Sequence, residues 1–180
     1  MKKRYFVAIG LVGLVLVGPR SGQPKTSSCW YAGLDGFAEH PDCLEQRGKD
    51  SLSVKRELLQ RLRFDGDLAP VFNADTGWMY VNRKGDVVVR GVAVADNGPD
   101  TFHEGFVRFG RGGKCGYATP TGAGTIVPQF DGCMNFENGK AKVCVGCLVR
   151  CADPGCEHHE FTGGTWSCID ARGEPVACAP

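Results

Sequence analysis

The chain has 180 residues, with 21 basic side chains against 20 acidic ones, 26 glycines and 10 cysteines. Near-neutrality removes the electrostatic case for a nucleic-acid partner, which needs a basic face. The length suits one domain with its own core, and the glycine content favours a turn-rich β protein over a helical one.

Residues 1–22 read as a signal peptide. Lys2-Lys3-Arg4 is a basic start, and residues 6–17 are apolar apart from Gly10 and Gly13. That run falls short of the roughly 20 apolar residues that span a bilayer comfortably. The other reading is an uncleaved N-terminal anchor, and the membrane enters only through this segment. Gly18, Ser21 and Gly22 offer small residues for cleavage, although Arg20 breaks the usual pattern. Removal near Gly22 takes four basic residues and leaves 17 against 20 acidic, a net charge of −3. The expected location is periplasmic or secreted. Cys29, Cys43, Cys115, Cys133, Cys144, Cys147, Cys151, Cys156, Cys168 and Cys178 agree with export. An even count in an oxidising compartment reads as disulfides.

Residues 23–50 read as a polar linker and a looped cap, with Gly33, Gly36 and Pro41 between Cys29 and Cys43. A bridge between those two cysteines would limit fraying at this end. Residues 51–180 form a repeat domain. Its start is ambiguous. Leu58, Leu59 and Leu62 share a helical face that Ser53 could cap, whereas Leu52 and Val54 alternate as in a strand, so a short helix or a first strand leads into Phe64.

From Phe64 onward the chain repeats itself. Phe102-His103-Glu104-Gly105-Phe106-Val107-Arg108-Phe109 aligns with Phe136-Glu137-Asn138-Gly139-Lys140-Ala141-Lys142-Val143. A weaker copy starts at Phe64, with Asp67 at the glycine position. A second element follows each copy: Trp78-Met79-Tyr80-Val81, then Cys115-Gly116-Tyr117-Ala118, then Trp166-Ser167-Cys168-Ile169. Each runs into a glycine turn at Gly85, Gly122 or Gly173, and a β-branched strand follows. Spacings of 38 and 34 residues between copies mean an array of one supersecondary unit. The fold class is therefore all-β: repeated antiparallel hairpins, disulfide-stapled, arranged as a meander, a solenoid or a partial propeller. Alternation assigns Ala69 and Val71, Val107 and Phe109, and Ala141 and Val143 to the core face. The hairpins are expected to share one continuous hydrophobic interior.

These residues resemble the WG-repeat family, whose repeat is similar to Phe136-Glu137-Asn138-Gly139-Lys140-Ala141-Lys142-Val143 and to Lys114-Cys115-Gly116-Tyr117. Cys115 stands at the expected tryptophan, where a disulfide can replace aromatic stacking. The resemblance covers roughly residues 64–176. It implies a bacterial β-repeat protein without catalytic residues and with a binding or scaffolding role. Its repeat positions are Phe64, Trp78, Tyr80, Phe102, Gly105, Tyr117, Phe136, Gly139 and Trp166.

The interval from Cys115 to Trp166 exceeds that from Trp78 to Cys115 by 14 residues (51 against 37). The excess maps to a cysteine-rich insert, residues 144–160, expected as a surface loop. Cys144, Cys147, Cys151, Cys156, His158 and His159 have the residue types of a zinc site, but oxidised cysteines supply no thiolates, so disulfides are the first expectation. Cys144 and Cys147 end a strand rather than open a helix, which argues against a thioredoxin-like redox pair. His158-His159 lack a nucleophile nearby in sequence. Residues 96–100 lack the spacing of a cation loop and read as a Gly-Pro turn. Trp30, Tyr31, Trp78, Tyr80 and Trp166 line either a binding face or the core. The function expected is a non-enzymatic, exported interaction or scaffold module without a cofactor, its partner a protein or an envelope component; the alternative is a metal-binding protein or enzyme built on the insert.

Overall fold

The computed structural model describes residues 28–49, 51–95, 98–155 and 159–178. The signal or anchor segment, Cys156 and His158 lie outside the described residues, as do Asp96 and Asn97 of the Gly-Pro turn.

Alternation and glycine turns produce an almost wholly β chain. Strands β1 (Cys29–Gly33) and β2 (Gly36–His40) form the first hairpin. Strands β3 (Leu44–Gln46) and β4 (Leu52–Val54) pair with each other. Helix α1 (Arg56–Leu59) is a single turn. Strands β5 (Leu68–Asn73), β6 (Gly77–Asn82) and β7 (Val87–Val92) follow as a meander. The small pair β8 (Val94–Ala95) and β9 (Gly98–Pro99) interrupts it. Strands β10 (Val107–Arg111), β11 (Lys114–Ala118) and β12 (Ile126–Phe130) resume it. One eight-stranded sheet has the order β12-β11-β10-β7-β6-β5-β1-β2. The chain then breaks into a second, four-stranded sheet of β13 (Gly132–Glu137), β14 (Lys140–Cys151), β15 (His159–Asp170) and β16 (Pro175–Val176). The named strands pair antiparallel, so the arrangement is an open meander.

Two expectations change here. Residues 51–63 hold both a strand and a helix. Lys55, not Ser53, precedes α1 without a side-chain cap, and the buried Ser53 hydroxyl lies 3.3 Å from the Glu45 carboxylate across the β3–β4 pair. The residues read as a looped cap supply β1, which hydrogen-bonds β5 and so extends the main sheet.

The repeat frame is visible atom by atom. Glu104-Gly105 and Asn138-Gly139 both have positive φ at each residue (51° and 84°; 53° and 74°), the type I′ geometry that matches strand twist in a two-residue hairpin. The Glu104 carboxylate accepts the Asn138 and Gly139 N–H groups at 2.8 Å each, tying one repeat's turn to the next. Tyr80 donates its hydroxyl to the Asp100 carbonyl at 2.8 Å, and Tyr117 donates to the Met134 carbonyl at 2.7 Å. Each acceptor lies two residues before the next frame phenylalanine. Phe102 rests 4.9 Å from Tyr80, and Phe136 rests 4.9 Å from Tyr117. At the third tyrosine position stands Cys168, bonded to Cys178. The Asn82 side chain accepts the backbone N–H groups of Lys84 and Asp86, and Asp170 does the same for Arg172 and Glu174.

The core faces fall as alternation assigned them, but the interior is three successive clusters rather than one. Ala69 and Val71 join Tyr31, Leu58, Leu62, Met79 and Val81 in the first. Val107 and Phe109 join Leu68, Tyr80, Val89 and Val92 in the second. Ala141 and Val143 join Tyr117, Ile126, Phe136 and Ile169 in the third. Phe64 is half-buried against the first cluster beneath the Arg83 guanidinium, so it lacks the tyrosine contact of the other two copies. The first two clusters take opposite faces of the eight-stranded sheet, Met79 and Val81 on one side and Tyr80 between them on the other, and the third joins Tyr117 and Ile126 of that sheet to Phe136, Ala141, Val143 and Ile169 of the second.

Candidate functional site

Besides the scattered Val94, Val127 and Met134, two regions group large apolar side chains in water. The first lies on the outer face of β1, β2, β5 and β6. In β1, Cys29 and Tyr31 point into the first cluster, so Trp30 between them must point outward. In β5, Val71 and Asn73 are buried, and Phe72 lies on the other face. Cross-strand register aligns Trp30 with Phe72, Phe72 with Trp78, Trp78 with Val92, and Val92 with Phe109. One row thus crosses five strands. At its C-terminal end Val92 and Phe109 are buried in the second cluster, against which Phe102 packs. At its N-terminal end no such layer of described residues covers it: Trp30 is 39% exposed and Phe37 65%. Trp30 stacks with Phe37 at 5.9 Å, and Phe72 meets Trp78 at 5.3 Å. The four rings line a shallow concavity of about 320 Å³. Leu34, at the turn between β1 and β2, is also exposed.

The second region is the insert. It is not a loop. Strands β14 and β15 continue as a two-stranded arm beyond the reach of β13 and β16, with Cys151 opposite His159. Val145, Leu148 and Val149 are exposed on the arm, at 56%, 60% and 55%. Its base is built tightly. Cys144 and Cys147 are buried and bonded to each other, and Cys151 is also disulfide-bonded. A Cβ on Gly164 would lie 2.4 Å from the Cys147 nitrogen and 2.6 Å from the Cys144 sulfur, so only glycine fits. Phe161 packs edge-on to Trp166 at 5.7 Å, and Lys142 sits over the Trp166 ring. Asp131 receives the Gly146 N–H at 2.8 Å and an ion pair from Lys114. The Lys114 ammonium, followed by the Gly146 N–H, holds the Asp131 carboxyl below the ordinary carboxylate range.

The residues singled out by sequence therefore separate. Trp30 and Trp78 reach the open face. Tyr31 and Tyr80 are core, and Trp166 is half-buried at the arm base. Burial, then the charge of Asp100, pushes the Tyr80 phenol up to about 12. Burial raises Tyr117 as well. Phe37 and Phe72 were not singled out; their signal is strand parity in register with Trp30. In the Cys144–Cys147 disulfide neither sulfur is a thiolate available to a metal. His159 lies on the arm opposite Cys151. Among the described residues no group of three His, Cys, Asp or Glu side chains is placed to hold a metal ion. The bridges Cys29–Cys43 and Cys115–Cys133 close the first hairpin region and the tryptophan-to-cysteine position. Asp100, which the sequence placed only at the end of the Gly-Pro turn, has a structural role. It is buried and binds the Arg108 guanidinium at 2.8 and 2.9 Å, which raises the Arg108 pKa.

A family model described as WG containing repeat matches residues 125–146, a stretch spanning β12, β13 and the first half of β14. No curated protein and no solved structure matches the chain.

Proposed function

We propose that this chain is a non-enzymatic, exported β-repeat module that docks onto a component of the bacterial cell envelope through its aromatic face. The observation that carries this is the outer face of one sheet, whose cross-strand row is buried at Val92 and Phe109, half-buried at Phe72 and Trp78 and exposed at Trp30, with the exposed Phe37 stacked beside it. Repeat arrays ordinarily end in a polar outer face. A contiguous aromatic patch on rigid strands marks an interaction surface. The disulfides support an oxidising location, periplasmic or secreted. The test is retention of the purified full chain on envelope fractions. Trp30→Ala with Phe37→Ala should weaken retention at least about tenfold, the loss expected for two interface aromatics. Replacing His158 and His159 by Ala should leave it unchanged. Equal retention by the aromatic variant overturns the assignment of the face.

A further inference from the structure

We propose that the envelope component met by this face is the lipid bilayer surface itself, with Trp30, Phe37, Phe72 and Trp78 at the level of the headgroups. This rests on the docking face proposed above and on the anchor form of the N-terminal segment. The sheet admits the preceding chain at one defined place. Asn73 donates its side-chain amide to the Ser28 carbonyl at 2.9 Å, and Cys29 aligns with Asn73, which aligns with Gly77. The very next row is Trp30, Phe72 and Trp78. The incoming chain thus enters beside the aromatic face, one residue from it.

The sequence before Ser28 supplies the other half. Residues 6–17 are apolar and residues 18–27 separate them from the sheet. Ten residues reach at most about 35 Å when fully extended. An anchored chain therefore keeps the aromatic edge within one linker length of the membrane. The side chains suit that depth. Tryptophan is enriched at the membrane–water interface, and phenylalanine and leucine bury readily at the acyl boundary. Leu34 and Phe37, the most exposed of these residues at 79% and 65%, form the leading edge. Glu39, exposed opposite Trp30, keeps the margin polar, as an interfacial rather than a spanning surface requires. The arm has no such link, since its apolar residues lie on β14, on the second sheet.

The test uses tryptophan emission, because the chain's tryptophans are Trp30, Trp78 and Trp166 and none lies in residues 1–27. The anchor itself is therefore silent. The full chain carrying Trp166→Phe is reconstituted into phosphatidylcholine–phosphatidylglycerol vesicles whose acyl chains are brominated near the headgroup. Emission from Trp30 and Trp78 should be quenched by at least about twofold and shifted to the blue, as for interfacial tryptophans. The companion carrying Trp30→Phe and Trp78→Phe, which reports Trp166 alone, should not be quenched. Phe37→Ser with Leu34→Ser should reduce the quenching while the anchor stays in place. Unquenched, water-like emission from Trp30 and Trp78 overturns the lipid assignment. If envelope retention still depends on Trp30 in that case, the docking face stands and its partner is a protein or a glycan. Loss of both effects removes the face altogether.

Discussion

The aromatic face and the cysteine-rich arm both expose large apolar side chains, but for opposite reasons. On the face, every outward ring sits on a strand whose other side is packed into the first cluster, so Tyr31 and Val71 lock the backbone that presents Trp30 and Phe72. On the arm, Leu148 and Val149 are exposed on strands that run past β13 and β16, with only the Cys147 and Phe161 side packed, near Gly132. The difference teaches that exposure becomes a candidate site only where the scaffold beneath it is rigid, since a preorganised surface loses less entropy on docking. The arm is stiffened at its base alone, by Cys144–Cys147, by Gly164 and by Asp131.

The sharpest way to separate presentation from packing is to cut adjacent residues of one strand. Tyr31→Ala removes a side chain that is 3% exposed and should cost about 3–5 kcal/mol of folding stability. Trp30→Ala, one residue earlier and facing outward, should cost less than about 1 kcal/mol while weakening docking. Chemical denaturation of the two variants measures this. Equal losses would mean that Trp30 is a core residue and that the face is not free.

The arm is tested at its tightest point. Gly164 has φ +70° and no room for a Cβ against the Cys147 nitrogen. Gly164→Ala should therefore cost about 3 kcal/mol, combining overpacking with a strained backbone. Gly163→Ala shares the positive φ (67°) but meets nothing within 4 Å, and should cost only about 1 kcal/mol. Disulfide mapping of Gly164→Ala should show Cys144 and Cys147 mispaired or reduced. Neither substitution should change docking at the distant aromatic face.

Much of this was legible in the sequence, and the reasons are physical. The repeat frame encodes its own turns in part, because Gly105 and Asn138-Gly139 are residue types that accept positive φ, whereas Glu104 adopts it without that preference and bonds the next turn instead. Alternation assigned Val107, Phe109, Ala141 and Val143 to the core because strand parity is strictly local. The face was only half legible. Trp30-Tyr31 are adjacent on a strand, so one of them had to be core, and sequence alone does not say which side is covered. That depends on where Phe102 folds back, which is tertiary. The arm read as a loop because extra length in a repeat array ordinarily maps to a surface loop; in the structure it continues the β14–β15 pairing instead, with Gly146, Gly163 and Gly164 at positive φ within it. The single interior became three clusters because successive cores use opposite faces of neighbouring strands, Met79 and Val81 against Tyr80 and then Ala118 against Tyr117, and local alternation does not say which face is covered at each step.

Asp131 also gives the smallest expected effect and the one that distinguishes the two regions by pH. Its carboxylate is held in charged form first by Lys114 and then by the Gly146 N–H, so its pKa in the folded chain lies below the ordinary value of 3.8. A carboxyl depressed on folding contributes stability at pH values above its unfolded pKa, and that contribution is lost as pH falls through the folded pKa. The arm base should therefore loosen only in acid, below pH 4 or so. Amide exchange at Gly146 should accelerate there relative to neutral pH, after correction for the intrinsic rate. The aromatic face should show no matching change, because Asp131 bonds to Lys114 and Gly146 and not to the rings. Asp131→Asn keeps a carbonyl acceptor for Gly146 but loses the Lys114 pair, so its Gly146 exchange should be modestly faster at neutral pH and flat into acid. Exchange that stays acid-sensitive in Asp131→Asn would assign the control of the arm base to another group.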